Sequence, residues 1–207
     1  MIVIGLCGGS GSGKTLVCQT ILSCGIPVFE SDAVYHRLIA EPTDCVRELA
    51  AQFGAGVLDD HGGIDRRVLS RLVFSDRPDA KDNLQKLDEI AHRHICHAFL
   101  QWKEEQASKG APAIVLEAPL LFESGMDRLC TVTIAVTAPR ALRLERIRER
   151  DGITAQEAKA RIDAQRPDAE LKRLCDYTVE NTGTMSEVQN CIKKLLKKIL
   201  NQKDDAL

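Results

Sequence analysis

A glycine-rich octapeptide, Gly8-Gly9-Ser10-Gly11-Ser12-Gly13-Lys14-Thr15, constrains this chain more than any other segment. It satisfies the spacing G-x-x-x-x-G-K-[S/T] at every fixed position. The apolar run Ile2-Val3-Ile4-Gly5-Leu6-Cys7 precedes it and reads as a buried strand, while Leu16, Val17, Thr20 and Ile21 follow at helical spacing. Strand, glycine loop and helix, in that order, make the string a phosphate-binding loop. Glycines let the backbone curl until several N–H groups converge on one anion. The helix behind them adds the positive end of its dipole. In such a loop Gly9, Ser10, Gly11, Ser12 and Gly13 line the phosphates of a nucleotide. Lys14 reaches the outer phosphates and the Thr15 hydroxyl holds Mg²⁺.

The rest of the composition narrows the setting. A chain of 207 residues suits one α/β domain with insertions, or a core with one small subdomain. A net charge of −2 supplies no field for nucleic acid, and 4% aromatic residues supply no base-stacking platform. The cysteines at 7, 18, 24, 45, 96, 130, 175 and 191 form no C-x-x-C pair, which excludes zinc-ribbon and thioredoxin-like sites. Beside a nucleotide motif they suggest reduced thiols in the cytoplasm. Cys7, Cys18, Cys130 and Cys191 lie in apolar stretches and read as small packed hydrophobes. No apolar run approaches the length of a membrane span, and the N-terminus enters the first strand at once.

Along the chain, Cys24-Gly25 stops the first helix and Pro27-Val28-Phe29 reads as a second strand ending at Glu30-Ser31-Asp32. Residues 33–40 are expected to be helical, and Pro42 to open a helix through about Phe53. Helices are expected again at 65–74 and 79–108, so residues from about 36 to 108 form a mostly helical insertion. Ala113-Ile114-Val115-Leu116 reads as a central parallel strand, Thr131–Val136 as the next strand, and Tyr177–Val179 as a last short one. Charged helices are expected at 139–150 and 154–166, and a terminal helix at about 184–200 with Lys193, Lys194, Lys197 and Lys198 on a solvated face. This order predicts a doubly wound parallel sheet with its site at the C-terminal strand ends.

Several side chains are candidates for chemistry at that edge. Asp32 closes the second strand, expected beside the glycine loop, where a carboxylate can take the proton of an alcohol attacking a γ-phosphate; a helix cap is the competing and compatible role. Glu117 ends the third strand, either holding a Mg²⁺ water or facing solvent. Arg143, Arg146 and Arg150 recur at helical spacing, placed to neutralise a transferring phosphate or pack on adenine, or else to form a solvated, salt-bridged surface. Arg66 and Arg67 start a helix after Gly62-Gly63, where a cation can pair a substrate phosphate. His92, His94, Cys96 and His97 do not share one helical face and read as helix surface rather than a metal site.

Taken together, these strings resemble the dephospho-coenzyme A kinase family. The resemblance covers residue 1 to about 190. It rests on the loop as Gly5-Leu6-x-Gly8-Gly9-x-Gly11-Ser12-Gly13-Lys14-Thr15, on Gly25-Ile26-Pro27-Val28-x-x-x-Asp32, and on Gly63-Ile64-Asp65-Arg66-x-x-Leu69-x-x-x-Val73-Phe74. It continues in Pro119-Leu120-Leu121-Phe122-Glu123, in Arg161-Ile162-x-x-Gln165, and in Asp176-Tyr177-x-Val179-x-Asn181-x-Gly183. It implies a three-layer α/β P-loop kinase fold with a helical acceptor-binding insertion and a helical lid. The implied boundaries are 1–35, 111–137 and 168–207 for the nucleotide-binding core, 36–110 for the acceptor subdomain and 138–167 for the lid. It implies phosphorylation of the ribose 3′-hydroxyl of dephospho-CoA by Mg-ATP, in the cytoplasm, by a monomer or weak homo-oligomer. Carried over by position, Asp32 is the base, Lys14 binds phosphate, Arg146 is the lid arginine, and Arg66, Pro119, Leu120 and Glu123 belong to the acceptor pocket. The chain departs from the family with Cys7 for the usual Thr, Glu30-Ser31-Asp32 for Asp-Ala-Asp, and His92-Arg93 for His-Pro, the last expected to affect a helix start. The alternatives are another small P-loop kinase acting on a nucleoside or sugar and, in a different class, a nucleotide-dependent binding switch, for which no guanine-reading N-K-x-D occurs.

Overall fold

A computed structural model describes residues 1–75 and 77–201. Five strands, β1 (Ile2–Cys7), β2 (Val28–Glu30), β3 (Ala113–Glu117), β4 (Val132–Thr137) and β5 (Tyr177–Glu180), form one sheet in the order β2-β3-β1-β4-β5. β1 pairs in parallel with β3 and β4, and β4 with β5. Every position of β1 and of β3 is buried. Successive side chains on a strand face opposite sides, so burial at every position requires cover on both faces. That is the physical reason these strands read as continuous apolar runs.

Two compact units make up the chain. Met1–Phe29 and the chain from Glu105 onward form the first; Glu30–Glu104 forms the second. In the first, α1 (Lys14–Ser23) and α9 (Met185–Asn201) pack against each other. Their Val17, Ile21, Val188, Ile192 and Leu196 share a core with Ile4, Leu6, Val115, Ile134 and Val179. The lysine face of α9 is exposed as expected, and Lys198 Nζ stands 5.0 Å from the centre of the Tyr177 ring. Asp176 locks β5 to β4 by accepting from Thr133 N and Oγ1, both at 2.8 Å.

After β4 come α6 (Arg140–Asp151), α7 (Ala155–Asp163) and α8 (Asp168–Leu174). α6 and α7 share a small core of Ile147, Ala158 and Ile162. Thr154 caps α7 in a capping box with Glu157. Asp151 at the end of α6 is ion-paired to Arg150 and to Arg161 of α7, and these cations hold its carboxyl down at about 2. The expected helix over 154–166 stops at Asp163, and α8 does not figure among the expected helices. Pro167 explains both, since it disfavours helical geometry at Arg166 and stands as the cap before the acidic first turn of α8.

The second unit is helical. α2 (Ser31–Ala40), α3 (Asp44–Phe53), α4 (Arg66–Val73) and α5 (Ala80–Ser108, which runs on past Glu104) enclose a core of Ile39, Leu49, Val57, Ile64, Leu69, Val73, Leu87 and Ile90. Two starts are set by caps: Thr43 Oγ1 accepts from Val46 N at 3.2 Å, and Asp65 accepts from Arg67 N and Val68 N. Thr43, rather than Pro42, therefore opens α3. Arg93 lies in the middle of α5 and not at a helix start, contrary to expectation. An arginine there keeps the backbone N–H that proline lacks and pairs with Glu48, which also meets His94 Nε2 at 2.9 Å.

All eight cysteines are thiols. Cys7 and Cys18 are buried as expected, Cys130 is half-buried with its thiol 3.5 Å from Met126 O, and Cys191 is exposed, contrary to expectation. Cys191 sits beside Ile192 on α9, one residue off the buried stripe, because the helical period turns it outward.

Candidate active site

The glycine loop leaves the C-terminal end of β1 and enters α1 with no residue to spare. Gly11 and Gly13 hold φ of +76° and +94°, a region that side chains avoid. Gly13 is the cap of α1, and no side chain caps that end. The first amides of α1 therefore keep their capacity for an anion. Ser12 is fully buried, and its Oγ is a buried polar atom without a hydrogen-bond partner. A hydroxyl orphaned in this way is costly unless a ligand completes it. The loop thus fits a bound phosphate on its own geometry.

Side chains from three later segments hold the loop in place. Arg143 of α6, 4% exposed, donates from Nε to Ser10 O at 2.9 Å, from Nη2 to Gln165 Oε1 at 2.9 Å and from Nη1 to Asp168 Oδ1 at 2.7 Å. The Asp168 carboxylate compensates the buried guanidinium. Gln165 closes the ring: its Oε1 accepts from Ser10 N at 2.9 Å and its Nε2 donates to Ser10 Oγ at 3.0 Å. Arg146 donates to Gly11 O at 3.2 Å and to Asn181 Oδ1 at 3.4 Å. Asn181, just past β5, donates from Nδ2 to Ser12 O at 2.9 Å. Contact is close enough that a Cβ on Gly9 would meet Arg143 Nη2 at 2.1 Å, and one on Gly13 would meet Asn181 Nδ2 at 1.9 Å.

The three arginines expected on one face therefore separate. Arg143 and Arg146 grip the loop, and Arg150 turns to Asp151 at 2.7 Å on the surface. Sequence reasoning assigned no role to Gln165 or Asn181, although both belong to the quoted family strings, and it missed Asp168. The signal for Asp168 was the need of a buried arginine for a counter-charge, which requires the fold to see.

Lys14 lies at the start of α1, where its Nζ donates to Gly8 O at 2.8 Å and stands 3.8 Å from Glu117 Oε1. Glu117 is buried, 8% exposed, and does not face solvent. Its position follows from the strand order, since β3 is the direct neighbour of β1. β2, expected beside the loop, is one strand removed, with β3 between. Thr15, next to Lys14, is exposed. A threonine hydroxyl and a carboxylate are the hard oxygen donors that Mg²⁺ takes. Behind the loop, Cys7 Sγ lies 3.5 Å from Cys175 Sγ, and that contact together with burial pushes the Cys7 thiol well up.

The remaining expected residues are distributed as follows. Asp32 is the second residue of α2, in the helical unit, with its side chain exposed. It stands as the acidic residue of the first turn of α2, while the cap position is Glu30, without a side-chain bond. Arg66 is the exposed first residue of α4. Its positive charge partly offsets the burial that pushes Tyr35 up to about 12. Pro119 and Leu120 follow β3 in a turn, Leu120 being 47% exposed, while Leu121 beside them is fully buried. Glu123 accepts from Arg166 Nε at 2.8 Å.

Comparison with known proteins bears directly on this arrangement. A family model for dephospho-CoA kinase matches residues 2–187. A dephospho-CoA kinase of Geobacillus kaustophilus is 35% identical over 95% of this chain and 96% of its own. A Thermus thermophilus protein of solved structure superposes with a TM-score of 0.78 at 34% identity, covering 95% of this chain and 97% of its own. A Campylobacter jejuni dephospho-CoA kinase shares the fold, with a TM-score of 0.70 at 24% identity over 97% of this chain and 98% of its own. These relatives favour neither the nucleoside or sugar kinase nor the binding switch. With the glycine loop, its buried orphan hydroxyl and a match over nearly its whole length, the chain belongs to the dephospho-CoA kinase family.

Proposed function

We propose that the chain transfers the γ-phosphoryl group of ATP to the ribose 3′-hydroxyl of dephospho-CoA, releasing coenzyme A and ADP. The observation that carries this reading is the phosphate cradle at residues 8–15, with Ser12 Oγ buried and unpartnered, in a chain of this family. The acceptor oxygen attacks the γ-phosphorus, its proton passes to the Asp32 carboxylate, and the bond to the β-phosphate oxygen breaks. General-base help of this kind is worth roughly 10²–10⁴ in rate. Lys14 exchanges Gly8 O for phosphate oxygens, and Arg146 offsets the charge of the group in transfer. Thr15 would hold Mg²⁺, with Glu117 beside Lys14 placed to hold a water of the ion; when bound, the ion would supply charge neutralisation on the phosphates. Residues 36–110, with Arg66, Pro119, Leu120 and Glu123, are assigned to the acceptor, and 138–167 to a lid that excludes water. Eight thiols support the expected cytoplasmic setting.

An acceptor screen following ADP release tests the substrate. Dephospho-CoA is expected to outrun uridine, shikimate and gluconate as acceptors. A faster rate with any of these three would replace the proposed acceptor.

A further inference from the structure

Three consecutive carbonyls of the glycine loop are held by side chains of later segments, Ser10 O by Arg143, Gly11 O by Arg146 and Ser12 O by Asn181. A planar trans peptide points its C=O and the following N–H in opposite directions. A carbonyl held by a donor therefore turns the next amide away from that donor. Holding Ser10 O turns Gly11 N–H away from Arg143, and holding Ser12 O turns Gly13 N–H away from Asn181. Ser12 N–H is already used within the loop, on Gly9 O at 3.1 Å.

Of these three peptides, the two whose amides are left for a ligand are Ser–Gly peptides. Such a peptide flips when ψ of its first residue and φ of its second change together, and glycine tolerates either sign of φ. With glycine second, these peptides flip more easily than Gly9–Ser10 or Gly11–Ser12, where the second residue carries a side chain, and a flip would present a carbonyl oxygen to the phosphate. Arg143 and Asn181 stand on those two. Both are built to stay there. Arg143 is 4% exposed and anchored to Asp168 at 2.7 Å. Asn181 is 3% exposed, and its own N–H donates to Thr137 O at 2.8 Å. A carbonyl engaged by a donor also makes the amide of the same peptide a stronger donor.

We infer that Asn181 and Arg143 are positioning residues of the transfer, which lock the Ser12–Gly13 and Ser10–Gly11 peptides with their amides toward the phosphate. Neither touches substrate in this role. The inference rests on the proposed phosphate site but not on the identity of the acceptor.

The test uses the full chain and inorganic tripolyphosphate, which carries phosphates without a base or ribose. Asn181→Leu removes the donor at nearly constant size and charge. Arg143→Lys keeps the charge but replaces the planar fork with one compact ammonium that cannot span Ser10 O, Gln165 and Asp168 together. For each folded variant, tripolyphosphate affinity is expected to fall roughly ten-fold or more, and the KM for ATP to rise in step. Affinity for adenosine and the KM for dephospho-CoA should stay within about two-fold. The Gly13 amide proton, followed by NMR, should move on tripolyphosphate addition in the parent and lose that response in Asn181→Leu. A folded variant that binds tripolyphosphate within about two-fold of the parent overturns the inference, since a merely stabilising side chain would lower the melting temperature without touching the affinity. If Asn181→Leu does not fold, Arg143→Lys decides the question by the same measure. A parent chain that binds no tripolyphosphate would sink the phosphate-site reading and this inference with it.

Discussion

In the proposed transfer, single side chains divide the work between holding phosphate and moving a proton. Asp32 is exposed and makes no cap hydrogen bond on α2, which leaves its carboxylate available as the proton acceptor. Asp32→Asn keeps the shape and removes the basicity. Phosphoryl transfer is expected to fall by about 10²-fold or more with ATP affinity unchanged, as read by steady-state kinetics and nucleotide titration. A variant that keeps its turnover would assign Asp32 a purely structural place. Gly13 tests the cradle itself. At φ +94°, with Asn181 Nδ2 at 1.9 Å from a built Cβ, an alanine is both strained and crowded. Gly13→Ala is expected to lose most ATP binding and about 1–3 kcal/mol of stability, measured by urea melts and nucleotide titration. Unchanged ATP affinity would show that the loop does not need its left-handed turn. At this scale the sequence showed Lys14, Thr15 and the glycines plainly, because their spacing is dictated by a phosphate. It left Glu117 between a Mg²⁺ water and solvent, because its burial beside Lys14 depends on which strand neighbours which.

Elements were legible where periodicity was strong and less so where a cap or a proline set the boundary. β1, β3 and β4 announced themselves as apolar runs since both sheet faces are covered. α9 was readable from its stripe of Val188, Ile192, Leu196 and Ile199. α8 was not, because seven residues offer barely two turns of pattern. The segment from α6 to α8 carries both Arg143 and Gln165 to the glycine loop, so its rigidity matters for the site. The Thr154–Glu157 capping box fixes the start of α7. Thr154→Ala is expected to cost about 1 kcal/mol, seen first as faster hydrogen exchange over 155–163 while β1 and β3 stay protected. Uniformly faster exchange throughout the chain would mean that α7 has no independent opening and contributes only to global stability.

For the whole molecule, two compact units each carry a core of their own, one around the sheet and one around Leu49, Ile64 and Leu69. The glycine loop belongs to the first and Asp32 to the second. The proposed transfer predicts that ATP turnover depends on the acceptor. The direct measurement is transfer from ATP labelled in the γ-phosphate to dephospho-CoA, with the position of the label in the product determined. One ADP per labelled product is expected, with the label on the ribose 3′-oxygen and little inorganic phosphate without acceptor. Label released as inorganic phosphate at the same rate with or without dephospho-CoA would contradict the proposed transfer.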